Sequence, residues 1–158
     1  MKHQGTKRLE TDRLILRKFI IDDAAAMYNN WTSDPDVTKY LMWPYHKTIE
    51  ISKAVLTDWI NQYSKEDSIE MVRIGYRIGK KWWKQGITSE ALTAIVKFFF
   101  EEVGINRIET RHDSKNPNSG KVMMKCGLKY EHREADWNNQ GRCDSAMYAL
   151  LAKDYNAV

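Results

Sequence analysis

Alternating hydrophobic and polar positions predict five β-strands along this chain. The first strand is predicted over 14–19, and a later one over 69–78 places its hydrophobic residues on one face. Three further strands follow at 107–113, 128–133 and 143–150. The turn residues Asn138-Asn139-Gln140-Gly141 favour a hairpin between the last two.

Hydrophobic residues at helical spacing predict four helices between these strands. A short helix is expected to begin after Asp22 and a second after Thr48. The segment 89–102 is hydrophobic on nearly every side, which predicts a helix buried against a sheet. Asn116 and Pro117 favour the start of a fourth helix, which Gly127 ends. The resulting order, β-α-α-β-α-β-α-β-β, predicts one α/β domain with a mixed sheet over residues 1–158.

Composition narrows the class of protein. The chain is 42% hydrophobic and 29% charged, which is typical of a globular domain. The sequence carries no stretch that favours a membrane span or a signal peptide, so we expect a cytoplasmic protein. Cys126 and Cys143 show no zinc-binding spacing and the four histidines are scattered, so no metal site is expected.

Charge favours an anionic partner. The net charge is +4 and the isoelectric point is near 9.0, which is compatible with nucleic acid or a phosphorylated cofactor. Lys80, Lys81 and Lys84 cluster beside a loop that connects the strand at 69–78 to the helix at 89–102. Gly86 in that loop would let a pyrophosphate approach backbone N–H groups at the helix N-terminus. An ordinary turn between strand and helix explains a single glycine equally well, so this motif alone is weak.

Two further motifs strengthen the cofactor interpretation. The first is the run Arg107-Ile108-Glu109-Thr110-Arg111-His112-Asp113 followed by Asn116-Pro117-Asn118-Ser119 and Lys125-Cys126-Gly127-Leu128. The second is the opening Leu9-Glu10-Thr11-Asp12-Arg13-Leu14-Ile15-Leu16-Arg17. In the order and spacing of these motifs, the chain from 8 to 155 resembles the GNAT N-acetyltransferase superfamily, and within it the RimJ/RimL-like branch.

The resemblance implies an enzyme that transfers the acetyl group of acetyl-CoA directly to a primary amine. The acceptor would be a protein N-terminal α-amine or a small amine. The resemblance also implies a mixed, mostly antiparallel central sheet flanked by helices. Its strand ending at Ile78 would splay from the strand at 107–113 and admit the pantetheine arm.

The resemblance further implies specific residues. Backbone N–H groups would bind the pyrophosphate, a backbone N–H near Ile78 would stabilise the oxyanion, and Asn116 would contact the pantetheine or thioester. The pyrophosphate-binding residues would be Gln85, Gly86, Ile87, Thr88 and Ser89. Ser119 would lie near the sulfur as the general-acid candidate.

Several of these roles have structural alternatives. Glu109 is the candidate base, but a charge-paired structural glutamate is at least as compatible with its place on a central strand. Asn116 and Ser119 are also ordinary helix-capping residues. Five aromatic residues are candidates for an acceptor pocket or for plain core: Trp31, Tyr40, Trp43, Tyr45 and Tyr76.

The chain departs from the family pattern at two places. Lys84 and Thr88 replace residues that are usually glycine and a small residue, which leaves Gly86 alone in the loop. The connection at 64–68 is also too short for two strands that the family has there. We therefore predict a sheet shortened by about two strands, in which 14–19 pairs directly with 69–78. The alternatives are a segment absent from the sequence, or a second copy that completes the sheet in a homodimer.

Two other functions stay open at this point. One is a CoA-binding protein of the same fold without turnover. The other is a basic nucleic-acid-binding domain, which the absence of a basic helix or an aromatic RNA-binding motif makes the weaker hypothesis.

Overall fold

The computed structural model describes residues 7–63 and 71–155. The strands are β1 Leu9–Glu10, β2 Ile15–Leu16, β3 Met71–Arg73, β4 Arg107–Asp113, β5 Lys129–Asn138 and β6 Gly141–Leu151. The helices are α1 Asp23–Met27, α2 Pro35–Thr38, α3 Ile49–Gln62, α4 Ile87–Lys97 and α5 Pro117–Lys125. Wider π-helical turns extend α1 over Tyr28–Thr32 and α4 over Phe98–Val103, and short 3-10 turns lie at Lys80–Trp82 and Ala152–Asp154.

The main sheet has four strands in the order β3-β4-β6-β5. Strand β3 runs parallel to β4, whereas β4 and β5 both run antiparallel to β6. This arrangement confirms the predicted mixed, mostly antiparallel sheet flanked by helices. The β5–β6 hairpin turns at Asn139 and Gln140, as the sequence predicted, because Asn138 pairs with Gly141.

The predicted pairing of 14–19 with 69–78 is wrong for the described residues. Strand β2 pairs with β1 in a separate two-stranded sheet, and β3 lies at an edge of the main sheet with β4 as its partner. The physical reason is proximity along the chain, since a hairpin between β1 and β2 closes a much shorter loop. Residues 69 and 70 of the predicted strand, and the connection at 64–68, lie outside the described residues.

The larger core lies between the sheet and the two helices α4 and α5. It includes Leu92 and Val96 from α4, Met123 from α5, and Ile108 from β4, which is fully buried. Helix α4 is hydrophobic on nearly every side because it is covered by the sheet, by α5 and by β1. The predicted burial of this helix is therefore confirmed.

A second, smaller core joins α1 to α3. Leu56 of α3 is fully buried against Ala24 and Met27 of α1. Around them pack Trp31, Val55, Trp59 and Ile60, which confirms most of the predicted hydrophobic face of α3. Among the described residues, no helix is both long and apolar enough to cross a membrane.

Candidate active site

The two parallel strands of the main sheet separate at their C-terminal ends. Backbone pairing between β3 and β4 ends with the hydrogen bond from the Ile74 N–H to the Glu109 carbonyl, at 2.9 Å. Strand β4 continues to Asp113, but within the described chain 75–78 makes no backbone hydrogen bond to it. Apart from the Ile78 carbonyl, which accepts from Trp83 Nε1 at 2.9 Å, the main-chain groups of 75–78 are thus left for another partner, as the resemblance implied.

A cleft of about 480 Å³ opens where the strands separate. It is lined by 75–78, by the start of α4, by the end of β4 and by the start of α5. The cleft brings together seven of the nine residues expected at the site: Ile78, Gly86, Ile87, Thr88, Ser89, Asn116 and Ser119. Gln85 and Glu109 do not line it.

The loop before α4 has the backbone geometry of an anion cradle. Gly86 has a left-handed φ of 77°, which glycine adopts without strain. The first hydrogen bond of the helix runs from the Glu90 N–H to the Gly86 carbonyl at 3.0 Å, so the N–H groups of 87–89 have no helical acceptor. These free donors and the helix dipole favour a bound phosphate group at this edge of the cleft.

The N-terminal hairpin holds this loop in place. Arg13 contacts the Glu90 carboxylate at 2.5 Å and donates to the Gln85 carbonyl at 3.1 Å. Thr11 also donates to Glu90, over 2.5 Å. The Gln85 carbonyl points toward Arg13, and in a trans peptide the N–H that follows points the opposite way. The Gly86 N–H is therefore turned away from Arg13.

Ser119 and Tyr76 form a closed hydrogen-bonded pair in the cleft. The Tyr76 hydroxyl donates to the Ser119 carbonyl at 2.7 Å, and the Ser119 hydroxyl donates to the Tyr76 oxygen at 2.9 Å. Burial raises the pKa of Tyr76 to about 12, although the hydrogen bond from Ser119 acts in the opposite direction. Both hydroxyl groups are therefore protonated at neutral pH.

The polar residues at the start of α5 do not serve as helix caps. Asn116 occupies the N-cap position, but its side chain makes no capping hydrogen bond. Ser119 directs its hydroxyl to Tyr76 instead. The side chains of Asn116 and Ser119 therefore do not cap α5. Asn116 lines the cleft.

Two buried polar atoms beside the cleft lack a hydrogen-bond partner among the described residues. They are Thr110 Oγ1 and His112 Nε2, and both residues line the cleft. His112 Nδ1 lies 2.7 Å from the Asp113 carbonyl, and because a carbonyl oxygen only accepts, Nδ1 carries the proton of this hydrogen bond. Unpaired buried polar atoms are costly. Both atoms are buried in the wall of the cleft, and His112 Nε2 lies against Gly120 of α5.

Glu109, the candidate base, does not line the cleft and is paired with two arginine side chains. It accepts from Arg107 at 2.8 Å and from Arg73 at 3.2 Å. Chiefly the hydrogen bond from Arg107 lowers the pKa of Glu109, which keeps it ionised. The physical reason is its position along β4: the Glu109 carbonyl accepts the last hydrogen bond from the neighbouring strand, so Glu109 lies before the point where the strands separate.

Only one of the three clustered lysines lines the cleft. Lys80 forms ion pairs with Asp34 and Asp36, and Lys81 lies over the Trp82 ring at 5.1 Å from its centre. Lys84 lines the cleft and has a left-handed φ of 61°. Its backbone therefore adopts the conformation for which the family pattern has glycine at this position.

Three residues of the cleft carry no distinct functional signal in the sequence. Tyr76 is one of five candidate pocket aromatics, and Thr110 and His112 are members of a longer strand motif. Their alternation along two neighbouring strands could have indicated that all three face α5. Which of them meets Ser119 depends on how the two strands diverge, and the sequence does not encode that locally.

Comparison with known proteins agrees with this geometry. The family model described as an acetyltransferase (GNAT) domain matches residues 13–72 and 59–129, which together cover most of the chain. An uncharacterized N-acetyltransferase, p20, of Bacillus licheniformis is 28% identical over 174 aligned positions that span 93% of this chain and 97% of that protein. The alignment is longer than the 158 residues of this chain, so the relative has residues that this chain lacks.

Two further proteins show the same relationship. The Escherichia coli enzyme named ribosomal protein uS5-alanine N-acetyltransferase is 24% identical over 184 positions, spanning 94% of this chain and 92% of that enzyme. The solved structure of RimL, a ribosomal L7/L12 α-N-protein acetyltransferase in complex with coenzyme A, superposes with a TM-score of 0.82 at 18% identity. That superposition covers 92% of this chain and 98% of the RimL chain. The chain belongs to the GNAT acetyltransferase family.

Proposed function

We propose that this protein transfers the acetyl group of acetyl-CoA directly to a primary amine, either a protein N-terminal α-amine or a small amine. The single observation that carries the proposal is the cleft at the diverging strands. It joins the free N–H groups at the start of α4 to the Ser119–Tyr76 pair. The two relatives named for acetylating ribosomal proteins support the N-terminal acceptor.

The cleft residues fit the chemical groups of acetyl-CoA in order. The N–H groups of 86–89 would bind the pyrophosphate, with the Lys84 ammonium beside them. The main-chain groups of 75–77, the Ile78 N–H and the Asn116 amide would bind the amide-containing pantetheine arm. The thioester would then lie between Ile78 and Ser119, where bound acetyl-CoA supplies an acetyl group activated toward an amine.

Each residue of the reacting end has a definite task in this proposal. A backbone N–H near Ile78 would donate to the carbonyl oxygen on which negative charge develops. Ser119 would protonate the departing sulfur and would regain a proton from the amine nitrogen, which releases one as the amide forms. Tyr76 fixes the orientation of Ser119 through the two hydrogen bonds. Since the pKa of Tyr76 is about 12, this pair enters the reaction fully protonated.

Glu109 is not assigned the role of base in this proposal. Its two arginine partners hold it ionised outside the cleft, which matches the structural alternative considered for it. The acceptor would reach the site as the neutral amine, from the face of the sheet that carries Arg77 and Arg111.

Thermal unfolding with and without acetyl-CoA tests the binding half of the proposal. A ligand at about a hundred times its dissociation constant adds roughly 2.7 kcal/mol of stability, a shift of several degrees for a domain of this size. Mass spectrometry of a peptide with a free N-terminal alanine tests the transfer half, with the N-terminally blocked peptide as control. A stability shift without acetylation of any amine would instead support a CoA-binding protein without turnover.

A further inference from the structure

Arg77 occupies a distinct part of the cleft wall. It directly precedes Ile78 and lines the cleft, but alternation along 72–78 directs its side chain to the face opposite Tyr76. The Ser119–Tyr76 pair therefore lies on one side of the chain at this point, and the Arg77 guanidinium lies on the other. In the proposed reaction, the second side is the one from which the acceptor approaches.

Three tryptophan rings surround the Arg77 guanidinium. Its central carbon lies 5.3 Å from the ring centre of Trp31, 5.6 Å from that of Trp43 and 5.1 Å from that of Trp59. These separations are within the range of attractive cation–π contacts. The rings displace water from the guanidinium, and this burial lowers the pKa of Arg77. Arginine nevertheless stays protonated at neutral pH, and Arg77 taken as a whole residue is exposed to solvent.

No carboxylate neutralises this cation within 7–63 and 71–155. The other arginines on this face of the sheet are all paired: Arg73 with Glu109, Arg107 with Glu109 and Glu131, and Arg111 with Asp136 at 2.9 Å. Arg77 makes neither an ion pair nor a hydrogen bond to a described residue. Among the described residues, the contacts that hold the Arg77 guanidinium are therefore the three aromatic ones.

The chemistry of such a group is specific. Aromatic rings contact the faces of a guanidinium, whereas its N–H donors lie in the plane and point outward. A carboxylate has the geometry to accept two of these donors at once, and the reduced hydration strengthens that contact. The phosphate groups of acetyl-CoA are assigned to the separate cradle at Gly86, so Arg77 is left for the acceptor.

We propose that Arg77, held by Trp31, Trp43 and Trp59, is a subsite for a carboxylate of the acceptor. This inference rests on the proposed function and narrows it to amines whose own molecule carries a carboxylate. Such acceptors are free amino acids, or peptides with an acidic residue near the N-terminus. Both present the same group to Arg77, and the test separates them.

The test compares acceptors that differ only in one carboxylate. Initial rates of acetylation are measured for peptides beginning Ala-Asp and Ala-Asn, and for free alanine and alaninamide. The wild-type protein is expected to prefer the carboxylate in at least one pair by about tenfold or more in kcat/KM. In Arg77→Met that ratio should fall to near one, because only the acceptor that carries the carboxylate loses a contact.

Two more variants control this experiment. Arg142→Met removes an arginine that lies 5.5 Å from the Trp137 ring centre and does not line the cleft, so it should leave the preference intact. Arg77→Lys keeps a cation beside the tryptophans, and it should fold normally and retain a weaker preference. A wild-type protein without carboxylate preference, or a preference that survives in Arg77→Met, would overturn the proposal.

Binding measured by tryptophan fluorescence separates failure of this inference from failure of the proposed function. Three of the six tryptophans surround Arg77, so occupancy of the subsite should change the emission. Suppose that the CoA-bound protein acetylates none of these acceptors, which would refute catalysis. A saturable fluorescence change with the Ala-Asp peptide but not with the Ala-Asn peptide, lost in Arg77→Met, would still support the subsite. Equal responses to both peptides, or no response, would refute the subsite.

Discussion

The hydroxyl groups of Ser119 and Tyr76 lie 2.9 Å apart, and Tyr76 returns a hydrogen bond to the Ser119 carbonyl at 2.7 Å. The two residues are 43 positions apart in the chain, yet together they close the reacting end of the cleft. Because the Tyr76 proton is committed to a carbonyl, the Ser119 proton is the one that can be redirected toward a ligand. This relationship assigns proton donation to Ser119 and positioning to Tyr76.

The raised pKa of Tyr76 predicts a specific alkaline sensitivity. Below the ordinary value of 10.0 the tyrosine is neutral in both folded and unfolded chains, so its contribution to stability is fully present. As the pH rises toward about 12, the unfolded chain releases this proton first, and stability is lost. Denaturant unfolding between about pH 9 and pH 12 should show a loss of at most roughly 3 kcal/mol that is absent in Tyr76→Phe. The control Tyr45→Phe, at an exposed ring, should behave as wild type.

The backbone of Lys84 predicts a stabilising substitution. Its left-handed φ of 61° costs a residue with a side chain about 1–2 kcal/mol, and glycine avoids that strain. Glycine loses more conformational entropy on folding, so the expected net gain for Lys84→Gly is about 0.5–1 kcal/mol. Lys84→Ala removes the same charge but keeps the strain. If the alanine variant proved as stable as the glycine variant in urea unfolding, the strain would not exist.

The packing of Gly120 predicts a destabilising substitution. A Cβ atom there would lie 2.6 Å from His112 Nε2 and 2.9 Å from the Tyr148 hydroxyl. Gly120→Ala should therefore cost about 1–3 kcal/mol of unfolding free energy through overpacking. Gly75→Ala is the matched control for stability, because no atom lies within 4 Å of its added Cβ. Equal stability of the two variants in urea would contradict the packing described for α5.

The ion pairs of Glu109 predict a change in stability without a change in catalysis. Its pKa is lowered, so its contribution is present above the ordinary value of 4.5 and is lost as the pH falls through the lowered value. Glu109→Gln should cost about 1 kcal/mol near pH 7, and less in acid, with kcat within about twofold of wild type. A large loss of kcat that is restored at higher pH would reinstate Glu109 as the base.

Local patterns predicted most of the fold. Strand β4 begins and ends at the predicted residues, and α4 and α5 begin within two residues of theirs. These elements carry their own signals, such as the Asn116-Pro117 start and uninterrupted hydrophobic residues. The pairing of 14–19 failed because two short strands compete for the same partner. Strands β1 and β3 are both possible partners for β2, and the shorter loop favours β1. The hydrophobic pattern of a strand does not show which partner it pairs with.

The candidate site was predictable in position but not in its internal contacts. The cradle at Gly86 and the residues Asn116 and Ser119 follow from motif spacing and family resemblance. The bond between Ser119 and Tyr76 depends on the angle at which β3 leaves β4, which is set by packing across the whole sheet. The same holds for Arg77, whose tryptophan neighbours come from three segments that are distant in sequence.

The most direct test of the account is the rate of acetyl transfer by the wild-type protein and by Ser119→Ala, measured side by side at saturating acetyl-CoA. A general acid contributes at least about a hundredfold, so the variant should lose that factor in kcat and bind acetyl-CoA as tightly as wild type. Ser114→Ala, which changes a serine outside the cleft, should keep the full rate. Transfer by Ser119→Ala at the wild-type rate would contradict the role of Ser119 as general acid. If none of the three proteins acetylated any amine, the proposed acetyltransferase activity itself would be contradicted.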